Sequence, residues 1–191
     1  MSQVVSDLLA PNQGETGVVR LNLVLSTVQS LFDKAEAELA VEGRKRPVEF
    51  RCEPGLPWVL VDPRRLVQVI AHLVRCFAEI SLPGTALLVE GRWWEGRPAI
   101  TVGTADSDVA LRGCAQGPEP PDATYRGPNG VSMEDDLRVV ISRTLLDAHG
   151  LTLEFEPLGD SAGTFWFPLP VSLPSGQTVE AVPGPAGGPT P

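Results

Sequence analysis

From Val19 to Ala40 the apolar residues Val19, Leu21, Val24, Leu25, Val28, Leu31 and Phe32 recur at helical spacing, with Lys34, Glu36 and Glu38 on a polar face. That period predicts one long amphipathic helix. The pattern then switches to alternation. Val48 and Phe50 mark a short strand over Pro47 to Cys52, and Trp58 to Val61 makes a second. Pro63 suits a first helical position, with Asp62 as its N-cap. From there Leu66, Val69, Ile70, Leu73, Phe77 and Ile80 form one stripe, ending before Pro83-Gly84. Two strands follow, Ala86 to Trp93 and Pro98 to Gly103, with Glu95-Gly96 as the hairpin turn.

Periodicity is then lost. Thr104 to Val131 is rich in Gly, Pro and Asp, a length that inside a compact domain points to a functional lid or to disorder. A helix is predicted from Ser132, with Asp135 three positions on in a capping-box pattern. Leu137, Val140, Ile141, Thr144, Leu145 and Ala148 form its buried face, and Gly150 ends it. Leu151 to Phe155 and Thr164 to Leu169 read as strands. From Val171 onward Pro, Gly, Ser and Thr dominate, and such a tail is expected to stay disordered because it buries too little apolar surface to offset its ordering entropy. The divisions are a lead-in at 1–17, one domain at 18–170 and a tail at 171–191. Three helices against one mixed, mainly antiparallel sheet make an α/β two-layer sandwich.

Composition narrows the function classes. The chain has 191 residues, 42% of them hydrophobic, which is enough for one α/β domain with a real core. A net charge of -9 repels a nucleic-acid backbone. No apolar run approaches the roughly 20 residues that span a bilayer, and Met1 to Ala10 lacks the basic-then-apolar order of a signal peptide. The expected location is the cytoplasm, without direct membrane contact. Cys52, Cys76 and Cys114 are odd in number and far apart, as expected of reduced thiols rather than a disulfide framework. His72 and Cys76, at i and i+4, are half of a zinc pattern whose other half is missing. Trp93-Trp94 reads as an exposed contact patch or as core, and His149 as a structural residue at a helix C-terminus, where a cation suits the dipole. No Ser/His/Asp or Cys/His set announces nucleophilic catalysis.

Three segments, in order, carry a resemblance. They are Val61-Asp62-Pro63-Arg64-Arg65-Leu66-Val67-Gln68-Val69-Ile70, then Ile141-Ser142-Arg143 through His149-Gly150, then Gly163-Thr164-Phe165 through Leu169-Pro170. Together they resemble the catalytic, ATP-binding domain of sensor histidine kinases, a Bergerat-type fold shared with gyrase B, Hsp90 and MutL. The resemblance implies ATP and Mg²⁺ as cofactors, and phosphoryl transfer to a histidine elsewhere. It implies a histidine-bearing dimerisation domain or a response-regulator receiver domain as partner, and a homodimer as a further possibility. Residues 1–10 resemble the end of a dimerisation helix.

The nucleotide-binding boxes depart from the family pattern. Two Asn one turn apart, with a Lys beyond, become His72, Cys76 and Glu79. They share a helical stripe, but a thiol is a poor Mg²⁺ ligand; His72 and Glu79 remain candidate metal ligands, against an ordinary helix flank. The Asp-x-Gly-x-Gly box becomes Thr104, Asp106 and Asp108, with a polar turn as the other reading. The Gly-x-Gly-Leu box becomes Glu134-Asp135-Asp136-Leu137-Arg138, whose carboxylates compete with phosphate for the helix N-terminus. Glycines survive upstream, where Arg126, Gly127, Asn129, Gly130 and Ser132 form either a phosphate cradle or a plain turn. Arg138 and Arg143 offer charge, against the reading of each as a solvated helix residue, and Thr164, which opens the last strand, is a further nucleotide-binding candidate by the resemblance. The expected function is therefore the ATP-binding catalytic domain of an atypical histidine kinase, with a nucleotide-free docking module in two-component signalling and an anti-sigma-factor-type serine kinase as the alternatives.

Overall fold

The computed structural model describes residues 19–41, 46–81, 84–104, 136–158 and 162–171. Among them the chain runs β1 (Val24–Ser26), α1 (Val28–Val41), β2 (Val48–Cys52), β3 (Val59–Val61), α2 (Pro63–Ile80), β4 (Leu87–Trp94), β5 (Arg97–Thr104), α3 (Leu137–Ala148), β6 (Glu154–Leu158) and β7 (Ala162–Pro168). The five-stranded sheet has the order β2-β4-β5-β7-β6, with β2 and β4 parallel and every other pair antiparallel. The three helices cover it, giving the α/β two-layer sandwich expected from the alternation of periods.

One expected helix divides. Val24 and Leu25 lie in β1, paired with Val61 and Leu60 of β3, and the helix begins only at Val28. Thr27 stops helical hydrogen bonding from propagating backward, because its Oγ1 accepts from the Ser30 N–H at 3.2 Å. The apolar run at 23–25 fits both periods, and the cross-strand partners decide between them. The last helix also starts later than Ser132. Its N-cap is Asp136, whose carboxylate accepts from the Arg138 N–H at 2.8 Å, while residues 132–135 lie outside the described residues. Strand β6 begins at Glu154 rather than Leu151, because Leu151 is spent in a helix-terminating turn.

That turn is a Schellman motif. Gly150 adopts φ 70°, the Leu151 N–H donates to Leu146 O at 2.9 Å, and the Gly150 N–H donates to Asp147 O at 2.9 Å. At the sheet's far end Glu95 (φ 48°) and Gly96 (φ 75°) both turn left-handed, the two-residue geometry that matches strand twist. The expected hairpin is therefore in place, with β4 shifted one residue toward the turn and β5 one residue longer at each end.

The core is continuous from α1 to β6. Phe32 of α1 meets Phe50 of β2 at 5.6 Å between ring centroids, and Phe77 of α2 meets Phe165 of β7 edge-on at 5.5 Å. Gly91 lets α1 approach the sheet, since a Cβ there would lie 2.6 Å from Val28 Cγ1 and 3.3 Å from the Phe32 ring. On α2, Asp62 caps the helix by accepting from the Arg65 N–H at 3.2 Å, with Pro63 following.

His149 joins the ends of α3 and α2. Its Nδ1–H donates to Leu145 O at 2.7 Å, and its Nε2 accepts the Asp62 N–H at 3.1 Å. The two contacts, one on each ring nitrogen, fix the orientation of the imidazole between the helix ends. Replacing His149 with Ala leaves the Asp62 N–H without its acceptor beside the α2 cap. The expected loss is about 1–3 kcal/mol of unfolding free energy, checked by urea denaturation, with α2 amides adjoining Asp62 exchanging faster with deuterium.

Candidate functional site

Helix α2 points its stripe toward α3, and this is where the expected site residues meet. His72 and Cys76 are buried, and Glu79, one turn further on, is exposed. Facing them, the first turn of α3 presents Asp136 and Arg138. The Arg138 guanidinium is gripped from both sides. Its Nε and Nη2 donate to Asp136 at 2.9 and 2.6 Å, while its Nη1 and Nη2 donate to Glu79 at 2.8 and 2.6 Å. Such forked, charge-assisted hydrogen bonds are the strong kind. The reading of Arg138 as a solvated helix residue is therefore corrected: it ties α3 to α2 across 59 residues of chain.

The electrostatics follow from this arrangement. Hydrogen bonds to Asp136 and then to Glu79 hold the Arg138 guanidinium charged, against the effect of burial. Burial pushes the Asp136 carboxyl up, but the Arg138 side chain, backbone N–H and charge outweigh it, and the carboxyl sits below its ordinary range. Cys76 goes the other way. Burial first, then the neighbouring Asp136 charge, push its thiol up to about 12, and the neutral S–H hydrogen-bonds the Asp136 carboxylate. Cys76 is therefore a core thiol rather than a nucleophile or a metal-binding thiolate. In the native protein at pH 8, iodoacetamide is expected to modify half-buried Cys52 and to spare Cys76 until denaturant is added, which peptide mass spectrometry of the alkylated chain checks.

The remaining candidates divide. Thr104 closes β5 on the helix-facing side, in step with Ile100 and Val102 of the core, and is buried. Thr164 faces the other way. It alternates with core residues Phe165 and Phe167 and pairs with Gly103, so it lies on the face without helices. The helix-facing position on that strand is Gly163, and the Phe155 ring fills the space that a side chain there would take. Phe155 is held in place by Phe165, at 4.9 Å. Asp106, Asp108, Arg126, Gly127, Asn129, Gly130 and Ser132 lie outside the described residues.

These residues do not fit the groups that the resemblance implies. His72 and Glu79 stand seven positions apart on α2, the first buried and the second exposed. Among the described residues no group of three or more His, Cys, Asp or Glu is placed to hold a metal. Phosphate at a helix N-terminus needs free N–H donors, but here the Asp136 carboxylate already takes the Arg138 N–H. The Asp136–Arg138 pair was half legible in sequence. Both residues were noticed, but their side chains' mutual grip follows only from the α2–α3 packing.

No family model and no curated protein matches the sequence. Solved structures do match. The Acinetobacter baumannii histidine kinase AdeS aligns at TM-score 0.56 and 17% identity, over 81% of this chain and 70% of AdeS. The nucleotide-free catalytic domain of histidine kinase ThkA aligns at TM-score 0.56 and 17% identity, over 78% of this chain and 96% of that domain. Full-length ShkA in complex with AMPPNP aligns at TM-score 0.59 and 17% identity, over 87% of this chain but 34% of ShkA. The chain therefore has the fold of histidine kinase catalytic domains, and it spans about a third of full-length ShkA. Among the described residues no helix is long and apolar enough to cross a membrane.

Proposed function

We propose that this domain is a nucleotide-independent docking module in two-component signalling, its partner a histidine-bearing dimerisation domain or a receiver domain. The observation that carries the reading is Arg138, closed between Asp136 and Glu79 where the resemblance expects glycines and a lysine. That cation is already paired with two carboxylates. The helix N-terminus is capped by a carboxylate, and a protonated thiol stands in an Asn position. Each change disfavours an anion, and together they bind α2 to α3 without one. The fold supplies the link to signalling, since it is that of AdeS and ThkA.

The test is thermal unfolding with millimolar ATP and Mg²⁺, paired with calorimetry. A site filled at 100-fold excess over its Kd adds about 2.7 kcal/mol of stability, a shift of several degrees for a domain of this size. An unchanged midpoint and no binding heat are expected. A saturable shift would overturn the proposal in favour of the second reading, an ATP-binding catalytic domain. That reading is supported by the likeness to ShkA, a structure that contains AMPPNP. The docking half is tested by titrating purified receiver and dimerisation domains against the labelled chain. Saturable amide shifts are expected with one of them, and none with either would sink it.

A further inference from the structure

Apolar side chains and an open strand edge coincide at β1. Leu25 pairs in register with Leu60 of β3, and Leu23 and Trp58, two positions along each strand, share their face by alternation. All four are exposed, by 40–56%, whereas Val59 and Val61 turn into the core. Among the described residues β1 pairs with β3 alone, so its other edge is open. The Asn22 N–H donates to Asp62 Oδ2 at 2.8 Å, on the β3 side. Alternation then turns the main-chain N–H and C=O of Leu23 and Leu25 to the open edge. The edges of the five-stranded sheet are protected by comparison. Strand β2 carries exposed Glu49 and Arg51, paired at 2.8 Å, and β6 carries Glu154, Glu156 and Pro157. Charges and proline are what blunt an edge against pairing with another chain. Around β1 there are none, since no charged residue and no proline falls between Leu21 and Phe32.

We propose that β1 pairs antiparallel with β1 of a second copy about a two-fold axis at Val24, joining two small sheets into one of four strands, β3-β1-β1-β3. Leu23 of each copy then faces Leu25 of the other, and the outward main-chain groups of both residues are satisfied. The strand is its own complement, as a two-fold interface requires. Charge selects this occupant. At a net charge of -9 two copies repel over most of their surface, but here the nearest charges, Arg20 and Asp33, lie beyond the paired residues. An open edge is completed by another extended strand, which a helical partner does not present. Size sets the strength. One short strand and four apolar side chains per copy are far fewer than the roughly 20–30 residues a side of a standard interface, so the dimer is weak, with a Kd of about 0.1–1 mM. None of the α2–α3 clamp takes part, so this dimer and the docking proposal stand or fall separately.

The experiment follows the ¹⁵N–¹H signals of the full chain on dilution from about 1 mM to about 20 μM, a range that brackets the expected Kd. The amides of Leu23 to Ser26 and Leu60 and the Trp58 indole are expected to move together along one curve, and the exposed Trp93 indole to stay in place. Salt at about 0.5 M is expected to tighten association, because it screens the repulsion between copies. Leu25→Lys puts a charge on the open edge at an exposed position. It is expected to raise the Kd at least tenfold with an unchanged urea midpoint, whereas Val140→Lys, exposed on α3, leaves the Kd as it was. Val24→Cys keeps the test independent of added charge. Facing residues of a non-hydrogen-bonded pair lie about 4.5 Å apart at Cα, inside the disulfide range. Mild oxidation is therefore expected to link two copies at position 24, read by peptide mass spectrometry, and not to link Val140→Cys. Signals that stay still on dilution would overturn the proposal. So would a Kd indifferent to Leu25→Lys, or linkage at position 140 as ready as at 24.

Discussion

Phe165→Ala is expected to lower the unfolding free energy by about 3–5 kcal/mol, the range for deleting a buried phenyl ring. Phe165 is 1% exposed and packs between two other rings, Phe77 of α2 and Phe155 of β6. Neither neighbour can collapse fully into the gap, since one is anchored on a helix and the other fills the space above Gly163. Urea denaturation measures the loss. Phe165→Leu keeps most of the volume and is expected to cost less than about 1.5 kcal/mol. The contact also matters to the site. Phe77 directly follows Cys76, so the ring pair sets how α2 rests on the sheet and where Cys76 and Glu79 meet α3. The alanine variant is therefore expected to speed Cys76 alkylation more than its global instability alone accounts for. Equal rates after correction for stability would show that the two sites are uncoupled.

The elements that could be read from sequence are those in which one physical signal dominates. Asp62-Pro63 followed by an eighteen-residue stripe specified α2 to the residue, because cap, proline and period agree. Glu95-Gly96 specified the hairpin, because only a left-handed pair joins those strands. Where two signals overlapped, reading failed. Val24 and Leu25 are apolar at spacings that suit either a helix or a strand, and only Val61 and Leu60, far along the chain, decide. At the site, α2 gave His72, Cys76 and Glu79 on one stripe. Thr164 was placed in the cleft by its motif, whereas strand alternation turns it outward and leaves Gly163 facing the helices. The clamp on Arg138 was illegible for a different reason. Asp136 and Arg138 are two residues apart, a spacing that on a helix does not bring side chains together. They meet because Asp136 is a non-helical cap.

Arg138→Met should cost about 2–3 kcal/mol at neutral pH, less than the loss for breaking a fully buried pair because one partner is open to solvent. Glu79 is the open partner, with 66% of its side chain exposed, so Glu79→Gln is expected to cost under about 1 kcal/mol. The larger share comes from Asp136, 14% exposed, whose carboxylate would lose its counter-charge and keep its burial. The pH dependence identifies the cause. In the parent chain the folded Asp136 carboxyl lies below its ordinary range, so its stabilisation is present above that range and is lost as pH falls through the folded value. Without Arg138 the burial effect dominates and the folded carboxyl moves above its ordinary range. Its ionisation then opposes folding at neutral pH, and protonation relieves it on acidification. The gap between parent and variant should therefore be widest near pH 7 and narrow steadily toward pH 4, as urea denaturation across that range measures. The Met variant retains comparable apolar length, so no gap at any pH would mean that Arg138 stabilises through its packed methylenes rather than its charge. Loss of the clamp also tests the docking reading. If closure of α2 on α3 replaces a bound nucleotide, Arg138→Met is expected to loosen that end of the domain, seen as faster hydrogen exchange in the first turn of α3, with no gain in response to ATP.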